Sequence, residues 1–167
     1  MAADFPAFFL FGATTMGLKE KISEEMKGAM KSGDKLRLET LRTLRAGLME
    51  KEIEKRGSGS PVTADDEIAV LTGAAKRRKE SIEQFAKGGR QDLVDQETKE
   101  LAIIQEYLPK QMSAEELTAL IRKLMTDLSA SSPADFGKVM PAVMKEARGK
   151  ADGKVVQELV RKLLGGA

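Results

Sequence analysis

The chain has 167 residues, of which 41% are hydrophobic, and it carries 28 Lys and Arg against 26 Asp and Glu, a net charge of +2. It contains no cysteine and no histidine, which excludes a thiol nucleophile, a disulfide framework, a Cys/His zinc site and a serine–histidine triad. So small a net charge indicates no class of partner. The composition is rich in Leu, Ala, Glu, Lys and Met and poor in aromatic residues, which predicts an all-α fold.

The first fifteen residues differ in composition from the rest of the chain. Four of the six phenylalanines lie here: Phe5, Phe8, Phe9 and Phe11. The apolar run 5–13 is shorter than the ~20 residues that a membrane-spanning helix needs, and it lacks the basic start of a secretory signal. We interpret residues 1–15 as an extension, disordered or created by an upstream start, with Met16 as the natural first residue. The alternative is an apolar segment that docks on a helical groove.

Residues 16–108 are predicted to form an N-terminal helical hairpin domain, because apolar residues recur there at helical spacing. The predicted helices cover residues 17–31, 35–56, 64–86 and about 92–108. Gly33 and Asp34 predict a short turn, so the first two helices should pack antiparallel. Thr63 with Asp66 predicts a capping arrangement. Gly47, inside the second helix, indicates either a close helix contact or simple tolerance.

Two charged runs in this domain have structural interpretations. Four consecutive basic residues, 76–79, would point around most of a helix, and Glu80 and Glu83 lie nearby. A solvated, salt-bridged face is therefore favoured over a nucleic-acid contact. The carboxylates of residues 65–67 stand at a predicted helix start, where the positive end of the helix dipole explains them better than a metal ion does.

Residues 109–167 are predicted to form a small tail domain, a three-helix bundle. Pro109 cannot continue the preceding helix and marks the boundary. Ser113 begins a capping box, Pro133 stands at the first position of the second helix, and Asp152 would cap the third. Pro141 should kink or split the second helix.

The surplus positive charge lies in this tail, which has ten Lys and Arg against seven Asp and Glu. Near its second turn, cations flank glycines at a predicted helix start, where free N–H groups can receive an anion. The alternative is that Gly149 ends one helix and Asp152 caps the next, in which case the carboxylate competes with phosphate. Arg161 and Lys162 would extend the basic surface. The candidate nucleic-acid-binding residues are Lys138, Lys145, Arg148, Lys150 and Lys154.

Several stretches together resemble the GatB/YqeY family. They are Leu41-Arg42-Thr43-Leu44, residues 77–85, residues 89–93, Tyr107-Leu108-Pro109, residues 136–140 and residues 149–154. The resemblance covers nearly all of residues 16–164. It implies an all-helical protein whose tail is similar to that of the tRNA-dependent amidotransferase B subunit, where such a tail contacts tRNA.

The resemblance implies a tRNA-binding accessory factor without a catalytic centre, because the chain has no counterpart to the large catalytic domain of the B subunit. One alternative is an amidotransferase component, a carbon–nitrogen ligase with glutamine as amido donor, that acts in trans with other subunits. Another is a protein-interaction module built on the Leu/Met-lined hairpin. No cofactor, metal or membrane partner is expected. The lack of cysteine is compatible with a reducing cytoplasm, which is the expected location.

Overall fold

The computed structural model describes residues 16–165 and, over that range, confirms the all-α class. The residues of the proposed N-terminal extension lie outside the described range. Seven α-helices and one short 3₁₀ helix follow one another without a strand in the part described. They are α1 (Leu18–Ser32), α2 (Lys35–Gly57), α3 (Ala64–Lys87), α4 (Gln91–Gln105), α5 (Ala114–Asp127), the 3₁₀ helix Pro133–Asp135, α6 (Phe136–Glu146) and α7 (Gly153–Gly165).

The chain divides into two compact units between Leu108 and Pro109, here called the N-terminal unit and the tail unit. In the N-terminal unit, α1 packs on α2, α3 packs on α4, and α2 contacts both α3 and α4. Its dry core takes one or more residues from each helix: Ile22, Leu41, Leu44, Leu48, Leu71, Ala74, Ala75 and Ile104. None of the helices between residues 16 and 165 is long and apolar enough to cross a membrane.

The turn between α1 and α2 forms as its sequence predicts. Gly33 ends α1 in the left-handed region, with φ of 74°, where a residue without Cβ is favoured. The Asp34 carboxylate then accepts a hydrogen bond from the backbone N–H of Arg37 at 3.0 Å, which satisfies one of the free donors at the start of α2. The two helices are thus joined by two residues and pack against each other.

The start of α3 is fixed by its cap and by a link to α2. Thr63 and Asp66 form the predicted capping box, and Asp66 also pairs with Lys55 of α2 at 3.0 Å. A methyl group added at Gly47 would stand 3.1 Å from Cγ1 of Val70. Of the two interpretations of Gly47, the structure therefore supports a close contact between α2 and α3.

The basic run on α3 is partly paired, as the sequence predicts. Lys76 lies 3.9 Å from Glu80 of the same helix. Arg78 reaches α4, where its guanidinium pairs with Glu100 at 2.8 Å and with Glu97 at 3.3 Å. The Arg78 pairs therefore help to hold α3 against α4.

In the tail unit, α5, α6 and α7 pack on one another around a core of aliphatic side chains. Its least exposed members are Leu117, Ile121, Val139, Val143, Ala147, Val156 and Val160. Ser113 and Glu116 form the predicted capping box at the start of α5. Of the two outcomes expected for Pro141, a kink or a split, the split does not occur, because α6 runs through it. Both Pro141 and Gly137, whose carbonyl loses its helical partner to the proline, are exposed, so water can satisfy that carbonyl.

Candidate nucleic-acid interface

The turn between α6 and α7 is built around one buried glycine. Gly149 adopts φ of 71° and is buried. It lies in the turn, three residues after α6 ends at Glu146, and not at the helix terminus itself. The N–H groups of Lys150 and Ala151 donate to the Ala147 carbonyl at 2.9 and 3.1 Å. These bonds form the turn that follows α6.

Two residues that precede α5 form hydrogen bonds to this turn. The Gln111 side-chain amide donates to the carbonyl of Gly149 at 2.6 Å, and the Met112 N–H donates to the carbonyl of Lys150 at 2.8 Å. The carbonyls of Gly149 and Lys150 therefore have partners within the tail unit. Sequence reasoning missed Gln111, because a single polar residue just after a proline carries no periodic or capping signal.

The start of α7 is occupied by a carboxylate of the chain itself. The Lys154 N–H donates to Oδ1 of Asp152 at 2.9 Å, and the Val156 N–H donates to the Asp152 carbonyl at 2.9 Å. An anion placed here would meet the negative charge of Asp152. The structure thus supports the cap rather than an anion site on backbone amides, and leaves phosphate contacts to the side chains.

Three of the candidate cations, here called the turn cations, lie on or beside this turn: Arg148, Lys150 and Lys154. Arg148 and Lys154 are exposed, and Lys150 is half-buried. The backbone of this turn is held by Gly149 and by the hydrogen bond from Gln111. The positions from which these side chains extend are therefore fixed.

The other two candidates, the α6 lysines Lys138 and Lys145, are exposed and seven residues apart on one helix. Seven residues make almost two turns, so both side chains lie on nearly the same line of α6, about 10 Å apart along the axis. Neither lysine lies on the side of α6 that packs against α7.

The side of α6 that faces α7 is identified by two contacts. The Arg161 guanidinium of α7 lies 5.4 Å from the Phe136 ring centre, and a Cβ added at Gly153 would meet Met144 at 3.7 Å. At 100° per residue, the α6 lysines lie on the far side of α6 from these contacts. The structure therefore separates the five candidates into two groups, which the sequence presented as one surface.

Most of these cations are not neutralised by neighbouring acids. Lys138, which is exposed, lies 3.9 Å from the half-buried Asp135, and at that distance an ion pair near the surface is weak. Hydrogen bonds from the backbone of Ser131 and Ser132 hold the pKa of Asp135 below its usual value. Within residues 16–165, Lys145, Lys150 and Lys154 make no ion pair. Their charges are thus available to a polyanion.

Elsewhere, the only tyrosine has a structural place. The Tyr107 hydroxyl donates to Glu25, and burial, then this hydrogen bond, raise the pKa of Tyr107 above its usual value. Burial alone would raise the pKa of Glu25, but hydrogen bonds from Tyr107 and Arg37 outweigh it, so that pKa is lowered. Tyr107 is thereby held as a hydrogen-bond donor and is a poor general acid or base near neutral pH. No group of three or more acidic side chains in the described range is placed to hold a metal ion.

Comparison with known proteins gives a family and several relatives. The model of a family described as Yqey-like protein matches residues 19–164. Three relatives are called Altered inheritance of mitochondria protein 41, mitochondrial. The protein of Lachancea thermotolerans is 36% identical over 118 residues, 68% of this chain and 60% of the relative. That of Kluyveromyces lactis is 32% identical over 141 residues, 81% of this chain and 69% of the relative. That of Pyrenophora tritici-repentis is 27% identical over 150 residues, 87% and 80% of the two chains.

These relatives contradict the cytoplasmic location expected from the sequence, because their names place them in mitochondria. That expectation is wrong because it depended on the lack of cysteine. A chain without cysteine simply forms no disulfide, and this does not distinguish one compartment from another. The family match covers most of the chain. The chain therefore belongs to the family of Yqey-like proteins.

Proposed function

We propose that this chain is an RNA-binding accessory protein, with tRNA as its ligand and without a catalytic centre of its own. The observation that carries the proposal is the state of the tail's lysines. Lys145 and Lys154 are exposed and Lys150 is half-buried, and none of the three is paired with an acid in the described range. A tail with ten basic and seven acidic residues thus presents its surplus charge to solvent.

The contacts in this proposal come from side chains. Lysine acts on phosphate as a compact point charge, and Arg148 can offer a planar pair of donors to one phosphate. Because Asp152 occupies the start of α7, we assign no phosphate to those amides. Binding of this kind releases counterions and therefore weakens steeply with salt.

A resemblance to the amidotransferase B subunit, which is part of this proposal, makes it more specific. Residues 136–140 and 149–154 carry the likeness to the tail of the amidotransferase B subunit, and they include or adjoin most of the candidate cations. In the alternative, the chain would be an amidotransferase component that assists amidation of aminoacyl-tRNA in trans, with activity only in the presence of other subunits. The alignment spans 60% of the first relative above, and the names of the relatives favour a mitochondrial compartment for this chain as well.

A second candidate function is protein interaction through α2. Met49 and Ile53 stand four residues apart on this helix and are 40% and 65% exposed, so they form an apolar pair on one helix face. A partner docked there would bind through apolar burial, which depends only weakly on salt. Salt dependence therefore distinguishes the two candidates.

The test measures binding of total tRNA to the full chain across a series of salt concentrations. The variant carries Lys150→Glu and Lys154→Glu, and the control carries Arg122→Glu and Lys123→Glu, two exposed residues of α5 with the same change of charge. We expect salt-sensitive binding that the first variant loses and the control largely keeps. Absence of binding at low salt, or equal losses in both variants, would contradict the proposal.

A further variant with Lys138→Glu and Lys145→Glu separates the two groups of cations. If the RNA spans both sides of α6, this variant should lose about as much affinity as the reversal at the turn. If the RNA lies only along the turn, it should bind nearly as the wild type does. The comparison is made at equal net charge, so any difference reports position.

A further inference from the structure

A hollow of about 200 Å³ lies in the N-terminal unit where α2, α3 and α4 meet. Its floor is apolar and buried, since Leu44, Ala74 and Ile104 are at most 6% exposed. Its polar lining comes from Thr40 and Thr43 of α2 and from three residues of α3, Arg77, Arg78 and Ser81. The RNA-binding proposal uses none of these residues, although two of the stretches singled out in the sequence meet here.

Arg78 is a fixed part of the wall. Its guanidinium pairs with Glu100 at 2.8 Å and Glu97 at 3.3 Å, and the Gln96 amide donates to Glu100 at 3.0 Å. Neither carboxylate lines the hollow. Arg78 thus lines the hollow while its acidic partners do not, and its guanidinium is held in place by its pairs with α4.

Arg77 and Ser81 supply the donors that a ligand can use. They are four residues apart on α3 and so start from one face of the helix. Nη1 of Arg77 lies 3.7 Å from the place of a Cβ at Gly73, so the arginine side chain must turn towards Ser81 to contact the same ligand. In the described part of the chain, Arg77 makes no ion pair and the Ser81 hydroxyl makes no hydrogen bond. The two threonine hydroxyls already have acceptors on α2. Thr40 donates to the Leu36 carbonyl at 2.9 Å, and Thr43 donates to the Glu39 carbonyl at 3.1 Å.

We propose that this hollow binds the oxyanion of a small ligand, a phosphate or a carboxylate, with Arg77 and Ser81 as its main donors and Arg78 as a third. Guanidinium groups match the geometry of both oxyanions through paired N–H donors. An apolar floor strengthens such bonds, because it lowers the local dielectric on one side of the ligand. The hollow has the volume of several water molecules, each of about 30 Å³, which suits one small group.

The test is an NMR titration of the full chain labelled with ¹⁵N, with inorganic phosphate as the probe and sodium chloride at equal ionic strength as the reference. The signals to follow are the side-chain Nε–H groups of Arg77 and Arg78 and the backbone amide of Ser81. We expect these signals to shift and saturate with phosphate but not with chloride. A parallel titration with acetate shows whether the site takes carboxylate instead of, or as well as, phosphate.

Two variants and one control make the assignment specific. Arg77→Gln should weaken binding about tenfold or more, since a charged hydrogen bond contributes about 1.5–3 kcal/mol. Ser81→Ala should weaken it several-fold. Lys76→Gln, one residue from Arg77 and exposed, should bind as the wild type does.

Three results would overturn the proposal. One is a shift that grows linearly without saturation. Another is an affinity in Arg77→Gln equal to that of Lys76→Gln. The third is movement of these signals with tRNA alone and with neither small anion. Because the hollow and the tail are tested by different probes and variants, failure of one proposal leaves the other standing.

Discussion

The N-terminal unit and the tail unit use their charges in different ways. Residues 16–108 contain eighteen basic and eighteen acidic residues, and several of these pair across helices. Lys19 of α1 meets Glu52 of α2 at 2.8 Å, and Arg78 of α3 meets Glu100 of α4 at 2.8 Å.

The tail unit has more base than acid, and the pair between Lys138 and Asp135 is local, three residues apart at 3.9 Å. A core of aliphatic residues holds its three helices together. In the described range, Lys145, Lys150 and Lys154 make no ion pair. The comparison indicates that charge in the first unit helps to hold helices together, whereas much of the charge in the second remains free for a ligand.

The largest expected effect comes from the tail's apolar core, because packing of aliphatic side chains holds its three helices together. Ile121 is fully buried, so Ile121→Ala should lower the free energy of unfolding by about 2–5 kcal/mol. Ile53→Ala, at an exposed position of α2, is the control and should change it by less than about 0.5 kcal/mol. Urea denaturation measures both, and similar small effects would argue against the core as described.

The next effect tests ionic links in the N-terminal unit. Arg37 donates to Glu106 at 2.7 Å and to Glu25 at 2.9 Å, which joins α2 to α1 and to the end of α4. Arg37→Met should therefore lower the free energy of unfolding by about 1–3 kcal/mol, as expected for hydrogen bonds between charged groups. Arg42→Met is the matched control, because Arg42 pairs with Glu39 on its own helix. Equal losses in the two variants would show that links between helices contribute no more than local ones.

Acid should weaken the N-terminal unit through Asp66. Hydrogen bonds from the backbone and hydroxyl of Thr63, followed by the bond from Lys55, lower the pKa of Asp66 to about 2. A lowered pKa in the folded state contributes stability that is present above the ordinary pKa of 3.8 and is lost as the pH falls towards 2. Asp66→Asn should therefore be less stable than the wild type at pH 6, and the two should converge near pH 2.

Denaturant unfolding at several pH values measures this convergence. Asp127→Asn, at an exposed position of α5, is the control for removing one surface carboxylate. A constant difference for Asp66→Asn would contradict the assigned role of Asp66.

The smallest effect compares two glycines inside helices. A Cβ at Gly28 would meet nothing within 4 Å, so Gly28→Ala should stabilise the protein by about 0.5–1 kcal/mol through helix propensity. At Gly47 a Cβ would lie 3.1 Å from Val70, and Gly47→Ala should gain less or destabilise. Thermal denaturation of the two variants side by side gives the order, and a larger gain at Gly47 would exclude the close contact between α2 and α3.

Much of the fold follows from signals that lie close together in the sequence. The turn at Gly33 and Asp34 and the cap at Ser113 were predictable, because each depends on the chemistry of residues within one helical turn. The sequence did not decide between a kink and a split at Pro141, and the split does not occur, because the cost of a proline depends on whether its neighbours face water. That exposure is set by the packing of the tail unit.

The candidate interface was only partly predictable from the sequence. Charge counting located the surplus of cations in the tail, and spacing alone places Lys138 and Lys145 on one line of α6. The sequence did not show which side of α6 faces α7, so it did not show that these lysines lie away from that contact. Gln111 and the hollow beside Arg77 depend on contacts between distant segments, which no local pattern reports.

The most direct test of the account is the salt dependence of tRNA binding when the same charge reversal is made in each unit. One protein carries Lys150→Glu and Lys154→Glu in the tail, and the other carries Lys31→Glu and Lys99→Glu, two exposed lysines of the N-terminal unit. The plot of log affinity against log salt should become shallower by about 0.7–0.9 for each phosphate that the variant no longer binds. We predict a shallower plot for the tail variant and a wild-type slope for the other. Equal slopes for both variants and the wild type would contradict the assignment of the tail's cations to RNA.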